Sequence, residues 1–410
     1  MIGKTFKRIS IILAGVLIYI LIAVWLRTDI VSAAGGHTGL QTVLMPFLWI
    51  YYIAGAVLLL TLLLYPLSSM YIERKLYSAG LSNAAGAAPR LRKRSKDRTN
   101  PRTRIWEFSN PGIPLEIWMK KQAAMEAALG LTIVSIKYGH NKNRIILQIV
   151  PAQAVLPEFI EWDDKYLSPD SFVLTLGESY AGPVSVDLGK IPHILLGGST
   201  GSGKSILLKL LLMQAAKKGA DVYIADFKGG VDFPPAWHKL CRIILNEEEL
   251  LRLLTALVNE LERRKKLLKD AGCANIDGYN KNAREQLRRC IFACDEVAEV
   301  LDRTGASKER KELLAEIEAR LAIIARQGRA FGIHLILATQ RPDAGLISGQ
   351  IRNNLDCRIC GRADNILSQI ILDSTAAADE IPKDARGRFL LYDSTVFQAY
   401  WFDESNLERR

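Results

Sequence analysis

Cysteine is scarce and one-sided in this chain: six residues in 410, none before position 241. Cys357 and Cys360 make a C-x-x-C spacing, but no second such pair exists to complete a four-ligand zinc site. They sit in LDCRICGR, read as a strand, where residues three apart point to opposite faces. Cys290 and Cys294 flank an apolar run and read as small core residues. A zinc ribbon and a disulfide scaffold are set aside accordingly. Internal repeats and low-complexity tracts are absent too, and the length suits two or three ordinary domains. Charge is missing from two long stretches, residues 9–26 (ISIILAGVLIYILIAVWL) and 43–67 (VLMPFLWIYYIAGAVLLLTLLLYPL). At about 1.5 Å per residue the first covers about 27 Å, and the second exceeds a hydrocarbon core of about 30 Å.

The two stretches predict a transmembrane helical hairpin. A cleavable signal is the rival reading of the first, and both its length and the second stretch count against it. Lys4, Lys7 and Arg8 precede the first stretch, Arg74 and Lys75 follow the second, and the loop between holds only Arg27 and Asp29. Basic residues stay on the cytoplasmic side, so the expected localisation is the cell membrane, multi-pass, with both termini cytoplasmic.

The net charge of +11 is unevenly spread. Residues 1–89 carry six Lys/Arg against two Asp/Glu, residues 90–104 eight against one, and residues 105–410 forty of each. The body is therefore neutral, and the total says nothing about nucleic acid. The basic run reads first as a segment drawn to anionic lipid, and second as a DNA contact. The expected domain order is 1–77, a transmembrane hairpin; 78–104, a basic linker; 105–183, a small α+β domain; and 184–410, a larger α/β domain. In the last, the apolar runs HILLGG, DVYIAD, RIIL, CIFACDE, IHLILATQ and CRICG alternate with helical stretches. That alternation predicts a mainly parallel sheet covered on both faces.

Gly198, Ser199, Thr200, Gly201, Ser202, Gly203, Lys204 and Ser205 fit the phosphate-loop pattern G-x-x-x-x-G-K-[ST], with a strand before and a helix after. The glycines let backbone N–H groups converge on phosphate oxygens, and the helix N-terminus adds partial positive charge. Lys204 is expected to reach the β- and γ-phosphates, and Ser205 to hold magnesium. CIFACDEV places Asp295 and Glu296 at the carboxyl end of a strand, where ligands of open α/β sheets collect. Asp295 is the candidate magnesium ligand and Glu296 the candidate base for the attacking water. In HLILATQRP, Thr339 and Gln340 end a further strand, and the Gln340 amide is placed to report the γ-phosphate. The implied cofactors are ATP and Mg2+.

Several segments together resemble the motor of the FtsK/SpoIIIE family of DNA translocases. They are VDLGKIPHILLGGSTGSGKS, NELERRKKLLKDAGCANIDGYN, CIFACDEVAEVL, ARQGRAFGIHLILATQRP and IRNNLDCRICGRADNILSQIILD, in the family's order over residues 172–392. The resemblance implies a RecA-like P-loop NTPase fold, a hexameric ring around DNA, and ATP hydrolysis between subunits. It also implies that Arg329, with Arg326 in reserve, is the arginine reaching into a neighbour's site. The compact layout, and DFKGG at 226–230 where the cell-division branch has a proline after the aspartate, resemble coupling ATPases of conjugative plasmids and integrative elements. The expected function is thus a membrane-anchored, ATP-driven DNA translocase feeding a conjugative transfer channel. Its implied partners are DNA, further copies of the chain, the cell membrane, and relaxase and channel proteins. The loops 303–311 and 341–352 are the candidate DNA contacts. The alternatives are a chromosome translocase of the FtsK/SpoIIIE type, a protein-secretion ATPase of the same superfamily, and a nucleotide-gated scaffold. LISGQ at 346–350 has a faint likeness to the ABC signature, but it follows the acidic strand instead of preceding it.

Overall fold

A computed structural model of the chain describes residues 15, 18–29, 32, 46–47, 49–57, 67–98, 100–151, 156–341 and 347–407. The chain packs as two units. One comprises Met1–Arg94, Trp106–Leu129 and Ile136–Ile146, the other Ser95–Ile105, Gly130–Ser135 and Leu147–Arg410.

The first unit contains helix α1 (Leu67–Ser78). Residues 90–151 carry strands β1 (Arg90–Lys96) and β2 (Arg104–Ser109), helices α2 (Leu115–Lys120) and α3 (Gln122–Leu129), and strands β3 (Leu131–Tyr138) and β4 (Arg144–Pro151). The strands form a sheet in the order β1-β2-β4-β3. The basic stretch expected as a linker therefore contains an edge strand. Arg94 lies over the ring of Trp106, 4.7 Å from its centroid. Trp118, Phe108, Met125, Leu76 and Leu81 are fully buried. The single helical run expected at EIWMKKQAAMEAALGL is two helices, parted at Lys121.

The second unit holds the larger sheet. In chain order its first half runs β5 (Val173–Ser179), β6 (Gly182–Asp187), β7 (Ile194–Gly197), α4 (Lys204–Lys217), β8 (Asp221–Ala225), β9 (Cys241–Ile244) and α5 (Glu247–Asp270). Then follow α6 (Ile276–Asn282), β10 (Cys290–Cys294), α7 (Val297–Leu301), α8 (Lys308–Phe331), β11 (Ile333–Thr339), α9 (Gly349–Arg352) and β12 (Cys357–Cys360). The unit continues with α10 (Asn365–Leu372), α11 (Ala376–Glu380), β13 (Arg388–Leu391) and β14 (Val396–Ala399).

The ten strands lie in the order β6-β5-β14-β13-β12-β7-β11-β10-β8-β9. From β12 to β9 every pairing is parallel. From β12 back to β6 every pairing is antiparallel. This corrects the expected mainly parallel sheet: the sheet is mixed. The cause is local. β13 and β14 are joined by a tight turn in which Ser394 adopts φ 66° and its N–H donates to the Leu391 carbonyl at 2.9 Å. Adjacent strands joined by so short a connection must run antiparallel. β5, placed by sequence in the small domain, pairs with β14.

Both faces of the parallel half are covered. On β7, Ile194 and Leu196 join one core while Leu195 joins the other, and β11 divides Ile336 and Ala338 from Leu335 and Leu337 in the same way. α4 packs Leu207, Leu208 and Leu211 into the first core. α5 and α8 pack Leu254, Leu261, Leu314, Ile317 and Leu321 into the second. A Cβ at Gly328 would lie 2.1 Å from the Ile333 carbonyl oxygen, so α8 needs a glycine to lie against the start of β11. Cys357 and Cys360 face opposite cores, and all six cysteines are unpaired thiols.

The expected transmembrane hairpin is also corrected. Among the described residues, no helix is long and apolar enough to cross a membrane. α1 carries Glu73, Arg74 and Lys75 inside it. The rest of the two apolar stretches, 9–14, 16–17, 43–45, 48 and 58–66, lies outside the described residues. The multi-pass membrane localisation, and the membrane-anchored role that depended on it, lose their basis with the hairpin.

Candidate active site

The site is built along the carboxyl edge of the parallel strands. β7 ends at Gly197 and runs into the phosphate loop, which ends on Lys204, the first residue of α4. Gly201 (φ 77°) and Gly203 (φ 96°) hold left-handed backbone that other residues resist. The sheet order then matters. β11 lies between β7 and β10, so Thr339 and Gln340 come out between the phosphate loop and the acid pair.

Lys204 is buried and reaches across to β10. Its Nζ donates to the Asp295 carbonyl oxygen at 2.5 Å and to Asp295 Oδ1 at 2.8 Å. Ser205 Oγ donates to the same Oδ1 at 3.1 Å. Burial acts to raise the Asp295 pKa, but Lys204, Lys228 and Ser205 together outweigh it. The carboxyl therefore sits below its ordinary value. Glu296 is also buried. Its Oε1 accepts from Thr339 Oγ1 at 2.7 Å and its Oε2 from the Gln340 N–H at 2.9 Å. The Gln340 side chain turns the other way, and its Oε1 accepts from Thr200 Oγ1 at 3.0 Å. One residue thus touches the acid with its backbone and the phosphate loop with its amide.

Three contributors escaped the sequence reading. Asp226, at the end of β8, has a buried Oδ2 with no hydrogen-bond partner, and burial pushes its carboxyl up. Lys228 donates to Asp232 Oδ2 at 3.2 Å and to Asp295 Oδ2 at 3.4 Å. Burial acts to lower its pKa, and the two carboxylates raise it above the ordinary value. Both belong to DFKGG, whose signal was visible. That β8 neighbours β10 was not visible. The third is Arg362, beside the phosphate loop.

Arg329 is not brought to the others. It is exposed in the last turn of α8, with Nε 3.3 Å from the Gly189 carbonyl. It precedes β11 whereas Gln340 follows it, and a strand of that length separates its ends by about 20 Å. Arg326 is exposed on the same helix. Of the expected DNA loops, Arg303 pairs with Glu318 and Arg310 with Glu247. In the other, Arg341 lies 3.5 Å from Asp302, and residues 342–346 lie outside the described residues.

The donor set suits magnesium. Ser205 Oγ and Asp295 Oδ1 are hard oxygens side by side, and a loop of N–H donors adjoins them. Among the described residues no cluster of three or more His, Cys, Asp or Glu could hold a metal by itself. Magnesium in nucleotide sites takes few protein ligands and completes its shell with phosphate and water.

A profile of the FtsK/SpoIIIE family matches residues 162–344. The solved structure of the pCW3 conjugation coupling protein TcpA, in its monomer form with ATPγS, is 37% identical, with a TM-score of 0.61. The likeness covers 82% of this chain and 96% of that one. The chain belongs to the FtsK/SpoIIIE family. It is a P-loop ATPase of that superfamily, and membership implies the use of ATP and Mg2+. The DNA translocase FtsK of Helicobacter pylori strain J99 is 32% identical over 263 residues, 60% of this chain and 29% of the relative. The chain thus spans under a third of that relative's length. EssC of Geobacillus thermodenitrificans, ATPases 2 and 3, shares the fold at 20% identity and a TM-score of 0.50, over 60% of this chain and 48% of that one. These likenesses carry an ATPase domain of the FtsK/SpoIIIE family and family-level support for DNA handling and oligomeric assembly, and EssC adds the shared fold alone. They do not carry the membrane-anchored, channel-feeding role expected from the sequence, and that expectation is corrected to this broader one.

Proposed function

We propose that this FtsK/SpoIIIE ATPase is a translocase motor that couples ATP hydrolysis to movement along a linear polymer, with DNA as the cargo. The observation that carries the reading is the placement of Gln340 between Glu296 and Thr200. A single residue there links the acid that would activate water to the loop that would wrap the phosphates.

In this reading Lys204 and Asp295 hold one another until nucleotide enters. Lys204 then serves the phosphates, while Asp295 and Ser205 serve magnesium. Magnesium would supply charge neutralisation of the transferring phosphoryl group. Glu296 orients the attacking water and takes its proton. Gln340 feels the γ-phosphate from the loop side. Arg329, on the opposite edge of the sheet, acts on a neighbouring copy's site in a hexameric ring, where it would stabilise transition-state charge. Lys308 and Lys311, both exposed and within the expected DNA loop 303–311, would meet a phosphate backbone in this reading. The test is steady-state ATPase activity of the full chain with duplex DNA, single-stranded DNA and no DNA, across salt concentrations. DNA as cargo predicts stimulation that fades steeply with salt, because phosphate contacts release counterions. No response to either DNA sinks that cargo. Stimulation by an unfolded polypeptide instead would favour the second reading, a secretion ATPase, which the EssC fold likeness keeps open.

A further inference from the structure

The phosphate loop of this chain is gripped from outside by two segments that the sequence motif does not include. Cys360 pairs with Gly197 at the ends of β12 and β7. The parallel ladder continues past both strands: the Gly361 N–H donates to the Gly197 carbonyl at 2.8 Å, and the Ser199 N–H to the Arg362 carbonyl at 2.7 Å. Arg362 then reaches back along the loop. Its Nη2 donates to the Thr200 carbonyl at 2.6 Å and its Nη1 to the Lys383 carbonyl at 2.8 Å. From the segment holding Lys383, the Gly387 N–H donates to the Ser202 carbonyl at 2.8 Å. Gly387 lies so close that a Cβ at Gly203 would come within 3.1 Å of its backbone.

These contacts fix the polarity of the loop. A planar trans peptide points its C=O and its N–H in opposite directions, and none of the described peptides is cis. Holding the Thr200 carbonyl toward Arg362 turns the Gly201 N–H to the other side, into the hollow where phosphates would lie. Holding the Ser202 carbonyl toward Gly387 does the same for the Gly203 N–H. A glycine-rich loop without such clasps would sample both orientations, since glycine resists neither. A guanidinium suits the first clasp: its planar fork holds donors at a fixed spacing on separate nitrogens, one for each carbonyl, whereas an ammonium's donors all leave a single nitrogen.

We infer that Arg362 is a positioning residue for nucleotide: it pre-orients the Gly201 amide toward the phosphates and ties the loop to residues 383–387. This rests on the ATPase reading of the site. The test compares wild type, Arg362→Ala and Arg362→Lys as full chains. Two readouts are used: affinity for a fluorescent ADP analogue with Mg2+, and amide hydrogen exchange of a peptide spanning 199–203 without nucleotide. The alanine variant is expected to bind at least about tenfold more weakly, the scale of a lost charge-assisted hydrogen bond, and to exchange faster over 199–203. KM for ATP should rise more than kcat falls. Lysine should recover only part of the affinity, and it also serves as the folded comparison should the alanine variant unfold. Affinity within twofold of wild type with unchanged exchange, or full recovery by lysine, overturns the inference. A wild-type chain that binds nucleotide but never hydrolyses it would instead sink the motor reading and leave this one standing. A wild type that binds no nucleotide overturns this inference and the motor reading together.

Discussion

Glu296 has both carboxylate oxygens engaged by β11, one by the Thr339 hydroxyl and one by the Gln340 amide N–H. A base held this way keeps one orientation, and the strand that holds it also carries the residue touching the phosphate loop. The amide isostere is therefore the informative change. Glu296→Gln should lower kcat by roughly two to four orders of magnitude, the range for loss of a positioned base, and leave nucleotide affinity near wild type. Single-turnover hydrolysis beside an equilibrium binding titration separates the two, and undiminished turnover would remove Glu296 from the chemistry. Gln340→Ala should weaken the response of turnover to cargo more than it weakens binding. A uniform loss of affinity in that variant would point to a plain structural contact with Thr200.

At the scale of elements, the strands carry chemistry at one end and buried structure at the other. At the amino ends, Arg289 Nη2 pairs with both Asp277 oxygens at 2.6 and 2.8 Å, and Arg289 Nη1 lies 3.0 Å from His334 Nε2. His334 Nδ1 lies 2.9 Å from the Pro192 carbonyl, which fits a ring that donates there and accepts from Arg289. His193 accepts the Leu335 N–H at Nδ1, 2.9 Å away, and its ring centroid is 6.4 Å from that of His334. Burial depresses both histidines, His193 to about 4. The unfolded chain therefore takes up these protons first as pH falls. The stabilisation is full above the ordinary histidine pKa of about 6.5 and is lost progressively as pH drops toward 4. From pH 7 to pH 5, His193 alone should cost roughly 2 kcal/mol of folding stability. Denaturant unfolding at the two pH values checks this, and His193→Asn should flatten the difference. A stability unchanged over that interval would mean that the folded chain takes up these protons as readily as the unfolded one.

For the whole molecule, the separation of Arg329 from the phosphate loop by the length of a strand decides the kind of experiment needed. In one chain the two cannot meet without dismantling the sheet, so any catalytic part for Arg329 requires a second copy. Arg329→Ala and Glu296→Gln should each be inactive alone. Mixed in equal amounts they should regain up to about a quarter of wild-type activity, because random assembly pairs some intact loops with intact arginines across a boundary. No recovery on mixing, with both variants still assembling, would end the shared-site reading. Activity that is independent of protein concentration down to the monomer would end it as well.

The alternation of apolar runs and helices, the phosphate loop at a strand-to-helix junction, and the acid pair after CIFAC were all legible in order along the chain. Each is a local pattern of residue type and spacing, and local patterns survive in sequence. The order of strands is not local. That β11 inserts between β7 and β10, that β8 brings Asp226 and Lys228 beside Asp295, and that β12 lays Arg362 along the phosphate loop all depend on which strands pair. Pairing is chosen by the summed burial of two faces and not by any one segment. The mixed character of the sheet arose the same way, from a four-residue turn at 392–395 whose consequence appears only when β14 reaches β5. The two uncharged stretches show the converse limit. Their composition fixed how apolar they are, but among the described residues no helix is long and apolar enough to cross a membrane, and helix length is set by context as well as by composition.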